Sequence, residues 1–173
     1  ECGFLGCYGM TETCGTVTAL FPEEHHVEGA KSQYLGSVGR ALPWAEVKIF
    51  DHHTGEPAPI GSFGEIWVRS EANTPGYFNS DAETKQAITD DGWLKTGDGA
   101  VMDEEGFIYL KDRIKDMIIT GGENVYPAEV ENLISRVSGV SQVAVIGLPD
   151  QKWGEAVTAV IVAEKPGEDL SEV

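Results

Sequence analysis

The stretch DRIKDMIITGGENVYPAEVE, residues 112–131, carries the strongest structural signals in the chain. Its charged beginning predicts an exposed link between two domains. Residues 116–120 then favour a short strand that ends at Gly121-Gly122. Pro127 suits the first position of a helix, because the N–H that proline lacks would have no helical partner there. Apolar residues at the spacing i, i+3, i+4, i+7 predict one apolar helix face, made of Val130, Leu133, Ile134 and Val137.

Residues on the C-terminal side of this stretch continue a pattern of mixed helix and strand. Ser138-Gly139 is expected to end the helix. The runs 142–148 and 156–163 are rich in β-branched residues and predict two strands. We therefore expect a hinged α+β domain over residues 113–173.

Residues 36–112, on the N-terminal side, have the pattern of an antiparallel β subdomain. Alternating residues predict strands over 46–51 and 64–69, and residues 100–111 predict a hairpin around an acidic turn. The segment 80–83, Ser-Asp-Ala-Glu, matches a capping box and predicts a short helix. The fold class expected is α+β, with a small antiparallel barrel or sheet in this part of the chain.

The chain is strongly acidic. Its 173 residues include 12 basic and 29 acidic side chains, which gives a formal net charge of −17. Such a charge argues against a nucleic-acid surface and against binding to anionic membranes. No apolar run reaches the ~18 residues that a membrane-spanning helix needs. We therefore expect no nucleic-acid partner and no membrane span.

Three cysteines, Cys2, Cys7 and Cys14, lie near the beginning of the chain. The odd count and the lack of a CxxC pair argue against a disulfide framework and a zinc site, and favour the reducing cytoplasm. The first residue is Glu1, and no basic segment followed by an apolar one is found, so no targeting segment is expected. We expect the chain to be part of a longer protein.

The pentapeptide Tyr8-Gly9-Met10-Thr11-Glu12 combines chemical groups that suit a nucleotide. An aromatic ring can stack on a base, a hydroxyl can bond a phosphate, and a carboxylate can hold Mg²⁺ through a hard oxygen. Taken alone, such a pentapeptide is also compatible with a purely structural role.

A second candidate is Asp98, which follows a glycine in the segment GWLKTGD, residues 92–98. A carboxylate has two oxygens and can accept both hydroxyls of a ribose. Taken alone, Asp98 is equally compatible with a turn residue. Arg113 and Lys115, in the charged link, are candidates for contacts to a ligand, with solvated surface charges as the alternative.

The four motifs YGMTE, GEIWVR, GWLKTGD and DRIKDMIITGGENVYPAEVE occur in this order. Together they resemble the adenylate-forming superfamily, which contains acyl-CoA synthetases, luciferases and the adenylation domains of peptide synthetases. The resemblance extends over nearly the whole chain. It is strongest to the CoA ligases of fatty and aromatic acids, because GGENVYPAEVE differs from the sequence usual in peptide synthetases.

The resemblance implies contacts to the nucleotide for residues of three motifs, YGMTE, GWLKTGD and the long last one. It implies that residues 1–35 are the end of a larger N-terminal nucleotide-binding domain. The implied contacts to ATP or AMP are stacking on adenine by Tyr8 beside Gly9, a phosphate bond from Thr11, Mg²⁺ binding by Glu12, ribose binding by Asp98, and support of the ribose or phosphate by Arg113.

The resemblance also implies roles in the last third of the chain. Lys115 matches the hinge about which the C-terminal domain rotates between two half-reactions. Gly121 and Gly122 match glycines that line the tunnel for the pantetheine arm of coenzyme A. Trp153 matches an aromatic residue that contacts CoA, with ordinary packing as the alternative.

The implied reaction joins a small-molecule carboxylic acid to CoA. The acid and ATP form acyl-AMP and pyrophosphate, and CoA then displaces AMP. Two alternatives stay open: a related adenylating enzyme without CoA, such as a peptide-synthetase domain or a luciferase-type enzyme, or a fragment that only binds nucleotide. The acyl substrate and the oligomeric state are not predicted.

The sequence departs from the family pattern in two places. Gly6-Cys7 precedes Tyr8 where many members have a polar residue followed by glycine, and Ile119 stands where some have lysine. The resemblance also implies a phosphate-binding loop before residue 1 and a catalytic lysine after residue 173. We therefore expect the 173-residue chain alone to form no acyl-CoA.

Overall fold

The computed structural model describes residues 2–165. The chain divides into two compact units, with the division after Leu110. Residues 166–173, the end of the predicted C-terminal domain, lie outside the described residues. The strands and helices in chain order are β1 (Gly6–Met10), β2 (Gly15–Leu20), β3 (Arg40–Ala41), β4 (Glu46–Phe50), β5 (Phe63–Arg69), α1 (Asp81–Ala87), β6 (Leu94–Met102), β7 (Ile108–Arg113), β8 (Ile118–Thr120), β9 (Glu123–Val125), α2 (Pro127–Ile134), β10 (Val140–Asp150) and β11 (Gly154–Ala163).

Antiparallel sheets organise the first unit. One sheet has the order β1-β2-β3, and the other has the order β4-β5-β6-β7. The last strand, β7, begins in the first unit and continues past Leu110 into the second. The mixed α+β class is therefore confirmed, and the alternative between a barrel and a sheet is resolved in favour of open sheets, with no closed barrel among residues 2–165.

The β4–β7 sheet places apolar residues on both of its faces. Val47 and Ile49 lie on one face, as their alternation with Lys48 and Phe50 predicts. The opposite face carries an aromatic cluster in which Phe50 stacks on Trp67 at 4.1 Å between ring centroids. The hydrophobic core that contains Val47 and Ile49 also includes Val17, Ile66, Val68, Ala100 and Ile108.

Helix α1 forms where the sequence predicts it, but its first turn is not a capping box. In a capping box the serine and glutamate side chains each bond a backbone N–H. Here the Ser80 hydroxyl instead donates directly to the Glu83 carboxylate. This bond lowers the pKa of Glu83 below its usual value. The prediction of the helix is confirmed, whereas the predicted cap is wrong.

The second unit contains one antiparallel sheet, in the order β10-β11-β8-β9, with α2 against β10. Pro127 is buried at the start of α2, as predicted. The predicted apolar face of α2 is only partly correct. Val130 and Ile134 are half-buried, but Leu133 is 67% exposed. Val137 is also exposed, because α2 ends at Ile134 and Val137 lies beyond it.

None of the helices within residues 2–165 has both the length and the apolar character needed to cross a membrane.

Candidate active site

The β1–β2 hairpin presents the motif Tyr8–Glu12 at its tip. The register between the two strands shifts after Tyr8. A Cβ on Gly9 would lie 2.0 Å from the carbonyl oxygen of Gly15, so only glycine allows this close approach of the two strands. The buried Thr13 closes the tip, because its hydroxyl accepts the N–H of Met10 at 3.0 Å. Gly9 thus has a structural role here.

A hydrogen bond joins the two motifs that the sequence indicated separately. The Tyr8 hydroxyl donates to Asp98 Oδ2 at 2.7 Å, across 90 residues of sequence. Both side chains are half-buried. The aromatic ring proposed for the base and the carboxylate proposed for the ribose therefore lie side by side.

A β-bulge in β6 carries Asp98. Glu65 pairs with Gly99 and Trp67 pairs with Lys95, so three residues of β6 lie opposite Ile66 alone. Gly97, in the middle of the bulge, has a φ of +75°, which favours glycine. Bulges re-aim side chains at the edge of regular pairing. Here the bulge takes Asp98 out of the regular alternation of the strand.

Two side chains replace the backbone bonds that the bulge lacks. The buried Thr96 hydroxyl donates to the carbonyl oxygen of Ile66 at 2.8 Å and accepts the N–H of Asp98 at 3.1 Å. Glu65 Oε1 accepts the N–H of Gly97 at 2.8 Å. Thr96 and Glu65 were not predicted as part of the site, because the sequence does not show that the strand of GEIWVR pairs with the strand of GWLKTGD.

Glu12 lies in a 3₁₀ turn, Thr11–Thr13, next to a tyrosine from a distant loop. The Tyr77 hydroxyl donates to Glu12 Oε1 at 2.9 Å, and this bond, together with burial and the charge of Glu12, raises the pKa of Tyr77. Tyr77 therefore remains a hydrogen-bond donor at neutral pH. Tyr77 was not predicted as a site residue, although it follows Gly76 in a turn-rich segment.

The donor set at Glu12 fits Mg²⁺ better than a metal that needs several protein ligands. Oε1 of Glu12 accepts the Tyr77 hydroxyl, while Oε2 makes no hydrogen bond within the described residues. Residues 2–165 contain no cluster of three or more His, Cys, Asp or Glu side chains able to hold a metal. Mg²⁺ commonly uses one or two carboxylates and takes its other ligands from water and substrate phosphates.

Two open clefts are lined by residues of the hairpin tip, the bulge and the loop that contains Tyr77. One has a volume of about 540 Å³ and is lined by the hairpin tip, including Tyr8, Gly9 and the exposed Thr11. The other has a volume of about 610 Å³ and is lined by Glu65, Tyr77 and the bulge residues Thr96 and Gly97, among others. Tyr8, Thr11 and Tyr77 are therefore accessible to a ligand from solvent.

The second unit contains the remaining predicted residues. Arg113 ends β7 and is exposed, and Lys115 lies in the 3₁₀ turn Ile114–Asp116. Lys115 lines a cleft of about 500 Å³ together with acidic residues that include Asp112 and Asp116. The Asp112 carboxylate also accepts the N–H of Ala128 in the first turn of α2 at 2.8 Å.

The structure brings the three residues predicted to bind CoA together in the second unit. The N–H of Gly121 donates to the carbonyl oxygen of Trp153 at 2.8 Å. A Cβ on Gly121 would lie 2.8 Å from Cε3 of the Trp153 ring, so the ring packs directly on this glycine. Trp153 is 50% exposed, and Lys152 Nζ lies 4.3 Å from the centroid of its ring. Gly122 follows and has open space at its Cα.

Two protein families match the chain in sequence. The AMP-binding enzyme family matches residues 1–78, and the AMP-binding enzyme C-terminal domain family matches residues 129–173. The matched segments contain the Tyr8–Glu12 motif and Trp153, respectively.

Individual proteins are similar over most of the chain. The long-chain-fatty-acid–CoA ligase FadD13 of Mycobacterium tuberculosis is 44% identical over 160 residues, which cover 91% of this chain and 30% of that protein. The fatty acid–acyl-carrier-protein ligase ScoC of Streptomyces coeruleorubidus is 39% identical over 171 residues, covering 99% of this chain and 32% of that protein.

A solved structure shares the fold. The o-succinylbenzoate CoA synthetase of Bacillus subtilis, in complex with an acyl-adenylate intermediate, matches with a TM-score of 0.84 and 39% identity. The match covers 95% of this chain and 32% of that protein. The chain thus spans about a third of the length of these relatives.

Proposed function

The chain belongs to the AMP-binding enzyme family, and on this basis we propose that the protein containing it is an AMP-forming carboxylate–CoA ligase. The observation that carries the proposal is the hydrogen bond from Tyr8 to Asp98. It joins an aromatic ring suited to a base with a carboxylate suited to a ribose, and a nucleotide contains both groups at a short, fixed separation.

The first half-reaction activates the acid. A carboxylate oxygen of the substrate attacks the α-phosphorus of ATP, and the bond to pyrophosphate breaks, which yields acyl-AMP. Tyr8 and Asp98 hold the adenosine, and the exposed Thr11 hydroxyl donates to a phosphate oxygen. Glu12, oriented by Tyr77, would hold Mg²⁺, which when bound supplies positive charge to the phosphates.

The second half-reaction transfers the acyl group. The thiolate of CoA attacks the acyl carbonyl carbon, and AMP leaves with the electrons of the broken bond. The Gly121–Trp153 contact and Gly122 form the proposed surface for the pantetheine arm. Lys115 is the proposed hinge, because one active centre must present different groups in the two steps. Arg113 is a further proposed contact to the nucleotide.

The substrate class we propose is a fatty or aromatic acid. The relatives named for fatty-acid activation support the first, and the o-succinylbenzoate enzyme supports the second. ScoC, which is named for transfer to an acyl carrier protein, makes such a carrier the principal alternative to CoA. We also propose a cytoplasmic location, which the three free and exposed thiols of Cys2, Cys7 and Cys14 favour.

The test uses the full-length protein with ATP, Mg²⁺ and separate aliphatic and aromatic acids. Acid-dependent pyrophosphate release without CoA, followed by acyl-CoA and AMP formation when CoA is added, is the expected result. Replacing CoA with an acyl carrier protein distinguishes the two acceptors. ATP cleavage to ADP, or no acid-dependent pyrophosphate release with any acid, would contradict the proposal.

A further inference from the structure

Besides Thr96, a carboxylate of the neighbouring strand holds the bulge that carries Asp98. Glu65 Oε1 accepts the N–H of Gly97 at 2.8 Å, and Glu65 Oε2 accepts the indole N–H of Trp67 at 2.9 Å. Trp67 is buried and stacks on Phe50, so its N–H provides a fixed anchor for the carboxylate. Glu65 therefore links a rigid aromatic cluster to the backbone just before Asp98.

We propose that Glu65 is a positioning residue, which fixes the bulge in the conformation that presents Asp98 to the ribose of ATP. The proposal rests on the proposed function, in which Asp98 binds the ribose hydroxyls. Both oxygens of Glu65 already accept a hydrogen bond from the protein. In this proposal its effect on the nucleotide passes through Gly97 and Asp98.

The chemistry of these two bonds requires a carboxylate. Both partners of Glu65 are N–H donors, and an ionised carboxylate offers acceptors to both. A glutamine has the same shape but one acceptor and one donor, so its NH₂ group must face either Gly97 or Trp67. Hydrogen bonds to a charged acceptor are also the stronger kind.

The first variant is Glu65→Gln in the full-length protein. We expect the KM for ATP to rise about tenfold, with a smaller change in kcat, since one charge-assisted hydrogen bond is lost. We also expect poorer discrimination between ATP and 2′-deoxy-ATP. That ratio of kcat/KM reports the contact of Asp98 with the 2′-hydroxyl, and a general loss of stability leaves it unchanged.

A second substitution tests the mechanism by rescue. Trp67→Phe removes the indole N–H and keeps an aromatic ring against Phe50. In the double variant Glu65→Gln/Trp67→Phe, no indole N–H faces the glutamine, so the amide can turn its oxygen towards Gly97. The discrimination between ATP and 2′-deoxy-ATP should then return towards the wild-type value. Trp67→Phe alone is the matched control. It keeps a carboxylate that can accept the N–H of Gly97 and removes only its anchor, so its discrimination ratio should stay closer to that of the wild type than the ratio of Glu65→Gln does, even if the melting temperature falls.

Asp98→Ala separates this proposal from the proposed function. If Asp98→Ala leaves the KM for ATP unchanged in folded protein, ribose binding by Asp98 fails, and the proposal fails with it. If Asp98→Ala raises the KM but Glu65→Gln changes only the melting temperature, the positioning role alone is overturned. Because Glu65 acts through Asp98 in this proposal, Glu65→Gln should raise the KM for ATP little further in the Asp98→Ala background. Full additivity of the two effects would also overturn the positioning role.

Discussion

At the scale of single residues, Asp98 depends on contacts from three directions. Its carboxylate accepts the Tyr8 hydroxyl, its own N–H is held by Thr96, and the N–H before it is held by Glu65. A residue that served only the turn would need the backbone contacts but not the bond from Tyr8. The bond from the hairpin tip is therefore what favours a ligand-binding role.

Asp98→Ala in the full-length protein should weaken the use of ATP by about one to three orders of magnitude. Each charge-assisted hydrogen bond to a ribose hydroxyl is worth roughly 1.5–3 kcal/mol, and ~1.4 kcal/mol corresponds to a factor of ten. Asp98→Asn should lie between the wild type and Asp98→Ala, because an amide keeps one acceptor but loses the charge. The measurement is kcat/KM for ATP.

Tyr8→Phe is the matched control for these variants. It keeps the aromatic ring but removes the hydroxyl that donates to Asp98, so its loss should be smaller than that of Asp98→Ala. Melting temperatures are measured on the same preparations. A folded Asp98→Ala protein with unchanged kcat and KM for ATP would mean that Asp98 serves only the turn.

The sequence predicted candidates within continuous motifs, but not the residues that reach them from elsewhere. Tyr8 and Asp98 each lie in a short motif with suitable chemistry. The bond between them, and the contacts of Glu65 and Tyr77, depend on which strands and loops become neighbours. A glutamate on a half-buried strand can equally pair with a surface cation, so its partner cannot be chosen before the register of the sheet is known.

At the scale of elements, the β6–β7 hairpin is organised by one aspartate. Asp103 Oδ1 accepts the N–H groups of Glu105 and Phe107, at 3.1 and 2.8 Å, and Oδ2 accepts the Tyr109 hydroxyl at 3.0 Å. Burial of the phenol is the largest cause and the bond to Asp103 the second, and together they raise the pKa of Tyr109 to about 12. The protonated phenol is therefore favoured in the folded hairpin.

This shift predicts a loss of stability at alkaline pH. The folded state binds the Tyr109 proton more tightly than the unfolded state, whose pKa is near 10.0. The stabilisation is complete below pH 10 and is lost as the pH rises towards 12. Tyr109→Phe has no such proton, so its unfolding free energy should decline less steeply over this range. Urea titrations of both proteins at a series of pH values test this, and equal slopes would contradict it.

The turn between β8 and β9 consists of two glycines, Gly121 and Gly122. Gly121 and Gly122 have φ values of +60° and +88°, so alanine is strained at either position. Only at position 121 would the new Cβ also meet the Trp153 ring, at 2.8 Å. Gly121→Ala should therefore destabilise the protein by about 1–3 kcal/mol more than Gly122→Ala, the usual range for overpacking.

The double-variant cycle with Trp153→Ala identifies the cause of that difference. Removing the ring removes the contact, so Gly121→Ala and Gly122→Ala should become similar in the Trp153→Ala background. Denaturant unfolding provides the free energies. If the difference between the two glycine variants persists without the ring, the strain lies in the backbone and not in the packing of Trp153.

Elements were predicted well where alternation or glycine positions decide them, and less well where local choices compete. Strands β4, β5, β10 and β11 and the acidic hairpin follow from patterns of side chains. The cap of α1 was predicted wrongly, because Ser80 and Glu83 can bond each other as well as the backbone. Periodicity identifies the apolar face of a helix but does not show how much of that face the fold buries. Leu133 lies on the predicted face and is exposed.

At the scale of the whole molecule, the candidate residues fall into both compact units. Tyr8, Glu12 and Asp98 belong to the first unit, and the Gly121–Trp153 contact belongs to the second. The division follows Leu110, and the 3₁₀ turn that contains Lys115 comes soon after it. A two-step ligase requires the groups for nucleotide and for CoA to act in succession, so this link is where the proposed function requires mobility.

Lys115→Pro in the full-length protein should slow thioester formation more than adenylation. Proline fixes φ at residue 115 and disfavours the helical conformation that Ile114 has in its 3₁₀ turn, so rotation about this link becomes restricted. Lys115→Ala is the matched control, because it removes the charged side chain and leaves the backbone mobile, and both half-reactions should remain nearly intact. Single-turnover measurements separate pyrophosphate release from the conversion of preformed acyl-AMP to acyl-CoA. Equal losses in both steps for Lys115→Pro would show that the residue is structural, and a selective loss in Lys115→Ala would assign the effect to the ammonium group instead of the backbone.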